Sequence, residues 1–181
     1  MSSQPKTFEA GRGLSVKEGS HSQALSPSGN MLGFLKERLV KHAPFSEIPE
    51  GQLDCLLQDS AETYFAPGEK IVGPGDGPPE YLYYVQKGSV VGRKGLADVS
   101  STGFQYETGE MFPVNAFLAK RAVTATYSAR EDTFCLMFTW QSVDTLARVS
   151  PVFSDYLNRR TMQFLDLSRR AIQMAYSSQT L

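Results

Sequence analysis

The sequence predicts a mainly β fold, an antiparallel sandwich or barrel, with helices before it and one long helix after it. Three observations carry this prediction. Between Ala61 and Phe138, short runs rich in Tyr, Phe, Val and Thr alternate with glycine turns, as closely spaced strands do. Before them, leucines recur at helical spacing. After them, apolar residues recur at alternating steps of four and three, from Phe153 to Met174.

Taken in order, residues 1–29 are rich in Ser, Gly, Gln and Lys, have no hydrophobic period and read as a flexible tail. Residues 30–60 carry the first helices. Asn30 can cap one that presents Met31, Leu32, Leu35 and Leu39. Pro49 and Glu50 open a second, with Leu53, Leu56 and Leu57. Residues 61–140 hold the strands: "TYFAPGEKIV", "EYLYYVQKGSVVGRK", "GFQYETGEMF", "AVTATYSA" and "TFCLMFTW". Gly68, Gly88 and Gly109 fall where turns are needed, and "GPGDGPP" at 73–79 is too rich in Pro and Gly for a regular element. Residues 141–181 are helical again. "QSVDTLAR" suits a short helix, and Ser150 with Pro151 forms a cap and first residue for a long one. Its seam is Phe153, Leu157, Phe164, Leu167, Ala171 and Met174, interrupted by Arg160. An apolar stripe of about three heptads suits packing on the barrel, a partner helix, or both along one helix. A homodimer through this helix is expected, with Arg160 reaching Asp155, Asp166 or solvent and with Phe164 and Leu167 beyond the barrel's reach.

Composition narrows the function. The 181 residues suit one core rather than two. Net charge is −1 and the pI about 6.1, so no basic field marks a nucleic-acid surface. No apolar run reaches the roughly 20 residues that span a bilayer, and the N-terminus lacks a secretory core. Cys55 and Cys135 read as buried free thiols, which suits a cytoplasmic protein.

The chain also lacks the parts of common active sites. Its histidines are His21 and His42, both outside the strand region, so a histidine-held metal there is not expected. Two distant cysteines cannot make a zinc site. There is no G-x-S-x-G elbow and no G-x-x-x-x-G-K-[ST] loop. Neither an enzyme nor a metal protein is expected. One feature remains. Arg121 follows the turn "PVNAFLAK" and precedes an alternating segment, with Val123, Ala125 and Tyr127 set against Thr124, Thr126 and Ser128. At the mouth of a strand from Val123, beside a helical turn, an arginine can hold a phosphate. The alternative is a surface arginine paired with Glu110 or solvent.

The layout resembles the cyclic nucleotide-binding domain family. "APGEKI", "YLYYVQKGSV" and "GEMF" followed by "KRAVTATYSAREDTFCL" carry the likeness, which runs roughly from Leu32 to Arg170. It is most similar to the N-terminal sensor of bacterial signal-transduction proteins that also carry CBS and nucleotidyltransferase-type domains. The resemblance implies an eight-stranded jelly-roll barrel, a double-stranded β-helix, with helices at both ends. It also implies a phosphate-binding cassette reading F-G-E-L-A-L and, a few residues on, P-R-A-A-T/S. Phe112 matches, and Pro113, Val114 and Asn115 replace Gly, Glu and Leu. Ala116 and Phe117 keep the small-then-apolar pair, and Arg121, Ala122 and Thr124 match the arginine stretch. The implied phosphate contacts are Arg121, Ala122 and the backbone of Asn115 and Ala116. The family glutamate accepts from a ribose hydroxyl, which Val114 cannot do, at a cost of about ten- to hundredfold in affinity. Pro113 removes an N–H.

A non-enzymatic sensor domain is therefore expected, with no cofactor, a phosphate-bearing ligand and little affinity for cyclic AMP. The alternatives are a genuine cyclic AMP or GMP binder, and a transcription regulator lacking its DNA-binding part. In the latter, the family places a helix-turn-helix after the long helix, where "AIQMAYSSQTL" is short and has no basic residue.

Overall fold

The computed structural model describes residues 29–94 and 103–177, without the side chains of 29–31, 171–172 and 174–177. The tail expected at 1–29 lies outside these residues except for Gly29, where helix α1 (Gly29–Leu39) begins, one residue before the expected Asn30 cap. Leu35 and Leu39, one turn apart, are buried on its inner face. A single 3₁₀ turn, Phe45–Glu47, follows. Phe45 is fully buried and meets Tyr84 edge-on at 5.4 Å, Phe138 at 6.4 Å and Phe153 at 6.1 Å. One ring thus joins the N-terminal helices, a sheet and the last helix. Helix α2 (Glu50–Leu57) buries Leu53, Leu56 and Leu57. Cys55 lies on its other face and is exposed, against expectation; only Cys135 is a buried thiol. The helical period decides this, since Cys55 is 100° round from Leu56.

Among the described residues eight strands follow: β1 (Ala61–Phe65), β2 (Lys70–Val72), β3 (Tyr81–Lys87), β4 (Ser89–Arg93), β5 (Phe104–Glu107), β6 (Met111–Phe112), β7 (Thr126–Ala129) and β8 (Thr133–Thr139). They form two antiparallel sheets, ordered β1-β8-β3-β6 and β2-β7-β4-β5. The sandwich or barrel read from the strand texture is present, and its eight strands with helices at both ends are what the resemblance implies. Both faces of the first sheet are covered, which explains the near-continuous apolar runs of β3 and β8. Leu82, Tyr84, Leu136 and Phe138 face the helices, while Val85 and Cys135 face the second sheet with Val90, Phe112, Tyr127 and Ala129.

Gly88 stands where the chain leaves one sheet for the other, at φ +91°. A Cβ there would lie 2.5 Å from the Asp132 carbonyl oxygen, so both the backbone turn and the close approach require glycine. "GPGDGPP" contains one 3₁₀ turn, Pro74–Asp76. Its Asp76 accepts from the Gly73 amide at 2.7 Å and from Lys70 at 2.8 Å. The strand expected from Val123 starts later, at Thr126. Val123 and Ala125 do alternate inward, but among the described residues pairing with β4 ends at Arg93 opposite Thr126, so 121–125 have no described ladder partner.

Helix α4 (Trp140–Val149) is capped by Thr139, whose Oγ1 accepts from the Ser142 amide at 3.2 Å. Helix α5 (Pro151–Ser177) is capped by Ser150, whose Oγ accepts from the Phe153 amide at 3.4 Å. The Ser150 cap with Pro151 after it is the one expected; the Thr139 cap is an addition to the sequence reading.

Candidate functional site

Between β6 and β7 the chain forms helix α3 (Val114–Leu118). Its C-terminal end closes with two bonds, from the Lys120 amide to Phe117 O at 3.2 Å and from the Arg121 amide to Ala116 O at 3.1 Å. That is a Schellman closure, which puts one residue in the left-handed region. The residue is Lys120, at φ +49°, where glycine is usual. Its ammonium lies 4.2 Å from the Trp140 ring centre, and Trp140 also meets Phe117 at 5.4 Å. The cation–π contact offsets part of the backbone cost. The closure fixes the direction in which Arg121 leaves α3.

Arg121 leaves toward a cleft of about 550 Å³. One wall is α3 and the segment after it, with Pro113, Val114, Asn115, Ala116, Arg121 and Ala122. All six residues expected at the phosphate and ribose positions line this one space. Phe104, Tyr106 and Tyr127 line it from the barrel, and α5 supplies the far wall with Arg160, Gln163, Phe164, Leu167 and Arg170. Phe112 stacks between Tyr83 at 5.2 Å and Tyr127 at 5.6 Å beneath it. Burial raises the pKa of Tyr127 and Tyr106, whose hydroxyls share a hydrogen bond. Both stay neutral at physiological pH.

The side chains divide by role. Arg121 is exposed at the rim and has no side-chain partner among the described residues. Glu110, the alternative partner, is engaged elsewhere: its Oε1 is 3.1 Å from Arg160, and its Oε2 accepts from the Glu107 amide at 2.9 Å. Arg160 therefore reaches neither Asp155 nor Asp166, because it points across the cleft rather than along its own helix. It also donates to Gln163 at 3.5 Å. Arginines 121, 160 and 170 against one carboxylate leave the lining positive.

Two further placements add to the sequence reading, and the second corrects it. Val114 is a core residue, 7% exposed, packed in the cluster that holds Phe117, Phe153 and Leu157. Its apolar side chain thus serves the joint between α3 and α5. Phe164 is within the barrel's reach, with its ring 5.3 Å from that of Phe104. Phe153 and Leu157 are buried in the protomer's own core, whereas Leu167 is 51% exposed at the cleft edge. The side chains of Ala171 and Met174 lie outside the described residues. A different stripe is left open: Met162 and Leu165 are 65% and 51% exposed.

The sequence reading missed Phe104, Tyr106, Glu110, Arg160, Gln163 and Arg170 as cleft residues. The charged interruption in the seam was the available signal. Among the described residues, no three His, Cys, Asp or Glu side chains converge as metal ligands, and no helix is long and apolar enough to cross a membrane.

Solved structures share this architecture. The sensor domain of the transcriptional regulator DNR from Pseudomonas aeruginosa superposes with a TM-score of 0.56 at 18% identity, over 71% of this chain and 91% of that one. The Thermus thermophilus catabolite activator protein gives 0.58 at 22% identity, over 76% and 63%. A cyclic nucleotide-binding domain from Methylobacillus flagellatus gives 0.58 at 16%, over 88% and 89%. This chain spans less than two thirds of the Thermus protein. No protein-family model and no curated protein matches the sequence. The fold is that of the cyclic nucleotide-binding domains of regulatory proteins.

Proposed function

We propose that the chain is a sensor module whose cleft takes a small phosphate-bearing molecule and whose α5 passes on the occupied state. The observation that carries this is Arg121: a guanidinium free of side-chain partners among the described residues, at the rim of a cleft of about 550 Å³. A phosphate would give it the charge-assisted, bidentate partner that the protein does not supply. The backbone of Asn115 and Ala116, with Ala122 too small to obstruct, completes this wall. The far wall gives a physical route for output. An anion in the cleft competes with Glu110 for Arg160, and so changes what holds α5 to the β5–β6 turn.

Cyclic AMP is expected to bind weakly, because Val114 offers its ribose no acceptor. The module works as a homodimer through the distal half of α5, with Met162 and Leu165 in the joint, and signals to following domains such as the CBS and nucleotidyltransferase types the resemblance implies.

Thermal-shift screening and calorimetry against cyclic mono- and dinucleotides and ordinary nucleotides test the ligand. A ligand at a hundred times its Kd adds about 2.7 kcal/mol to the native state. Arg121→Ala should abolish the shift of any phosphate-bearing hit. Hits that bind Arg121→Ala unchanged would refute the phosphate reading. A low-micromolar constant for cyclic AMP would make the chain a genuine cyclic AMP binder instead.

A further inference from the structure

The α5 wall of the cleft follows one face of the helix. Arg160, Gln163, Phe164, Leu167 and Arg170 recur at steps of three and four, so this lining runs for about 15 Å along the axis. Charge is not spread evenly over that length. At the near end Arg160 is half-buried and paired with Glu110 at 3.1 Å. In the middle Phe164 packs on Phe104, and Leu167 continues the apolar stretch. At the far end Arg170 is exposed, and neither Asp166 one turn earlier nor any other described residue pairs with it.

Arg121 is the other unpaired guanidinium of the same cleft among the described residues. Its backbone is fastened to α3 by the bond from its amide to Ala116 O. Helix α3 joins α5 around Phe153 and Leu157, and Arg170 lies about 20 Å beyond Leu157 along the axis. The two cations thus enter the cleft from separate elements. One phosphate neutralises one of them. A ligand that fills the cleft also strips water from the other, which is unfavourable unless it brings a second anion. The cleft's own carboxylate, Glu110, already serves Arg160.

We infer that Arg170 forms a second anion subsite, so that the cleft takes a ligand with two separated anionic groups. This rests on the phosphate reading of Arg121 and narrows the ligand to bis-phosphates whose body covers Phe104, Phe164 and Leu167. Arg121 takes one phosphate and Arg170 the other, each as a charge-assisted contact. A compact polyphosphate fits less well, because part of its charge would lie on the apolar stretch.

NMR titration of the intact chain tests this with probes that share a nucleoside. Adenosine 5′-monophosphate carries one phosphate. Adenosine 3′,5′-bisphosphate and cyclic di-adenosine monophosphate carry two, at different separations. The amide signals of residues 115–122 report the Arg121 end. At least one two-phosphate probe should bind about five- to tenfold more tightly than the monophosphate. Arg170→Ala should remove that advantage and leave monophosphate affinity at 115–122 unchanged. Arg169→Ala removes the same charge from α5 at a position outside the cleft lining, and should keep the advantage. Both positions are exposed and alanine suits a helix, so neither change threatens the fold. If neither two-phosphate probe has an advantage, the second subsite is overturned, and this arm needs no variant. An advantage that survives Arg170→Ala overturns it too, as does an equal loss in Arg169→Ala, which would reduce the effect to net charge. Monophosphate binding at 115–122 that weakens in Arg170→Ala would put both guanidinium groups on one phosphate, and so also overturns it. Monophosphate binding that survives Arg121→Ala unchanged overturns the phosphate reading itself, whatever Arg170 does. If no probe binds, both fail.

Discussion

Replacing Gly88 by alanine should cost far more than replacing Gly68, although both glycines have the same backbone handedness. Gly68 is at φ +82°, and a methyl group added there would meet nothing within 4 Å, so Gly68→Ala meets only the conformational penalty, about 1 kcal/mol. Gly88, at φ +91°, adds contacts of 2.5 Å to Asp132 O, 2.7 Å to Thr133 Oγ1 and 2.9 Å to Thr133 Cα. Two of these are backbone atoms, so no rotamer change relieves them. Thr133 is also tied down, the single proton of its hydroxyl shared between Ser89 O at 3.1 Å and Glu131 O at 2.8 Å. Overpacking of this kind typically adds about 1–3 kcal/mol, for a total of roughly 2–4 kcal/mol. Urea unfolding reads the difference. With a slope near 2 kcal/mol/M, Gly68→Ala should lower the midpoint by about 0.5 M and Gly88→Ala by about 1–2 M. Equal midpoints for the two variants would show that the Gly88 turn relaxes freely, and the steric argument would be wrong.

Lys120→Ala should cost about 1 kcal/mol in the same assay, since it keeps the left-handed backbone and loses the contact with Trp140; Lys120→Gly relieves that backbone and should fall within about 0.5 kcal/mol of the unmodified chain. A Lys120→Gly variant as unstable as Lys120→Ala would contradict the Schellman account. Light scattering at high micromolar concentration should give a dimer, converted to monomer by Met162→Glu with Leu165→Glu; a mass near 20 kDa for the unmodified chain rules the dimer out. Burial pushes the Cys135 thiol from 9.0 up to about 12. Because the folded value is the higher one, this group's contribution is intact below pH 9 and is lost as pH rises toward 12. Cys135→Val should therefore flatten the pH dependence of the urea midpoint above pH 9, and unchanged curvature would assign it to the tyrosines. Iodoacetamide at pH 8 should label Cys55 and spare Cys135 until the chain is unfolded; equal labelling would contradict the burial.

What the sequence made legible was local. Turn glycines at 68, 88 and 109 all adopt positive φ, because strand texture and turn chemistry are written within a few residues. The α3 wall of the cleft was equally legible, since 113–122 is one contiguous segment. The α5 wall was not. Glu110 and Arg160 are fifty residues apart in sequence, and no local pattern encodes their meeting. The seam shows the same limit. Steps of four and three reveal an apolar stripe but not what covers it, and Phe164 is covered by Phe104 of a strand whose reach depends on sheet curvature. Val114 carries two readings at once: the motif marks it as lacking the family's acceptor, and its burial at the edge of the cleft is also a packing demand.

Helix α5 can also be regarded as a lever. It is held at Ser150, where its cap is buried against the barrel, and at Arg160 and Phe164, where it crosses the cleft. From its first residue to Arg160 is about 14 Å along the axis, and to Ser177 about 39 Å, at 1.5 Å per residue. A rigid tilt about the cap therefore multiplies displacement nearly threefold between the cleft and the far end. On the proposed sensor reading, each ångström by which a bound anion shifts Arg160 becomes about three at residue 177. The gearing is set by where along the helix the cleft touches it, so in the proposed sensor, shortening or lengthening α5 beyond residue 170 would change the size of the output without altering affinity.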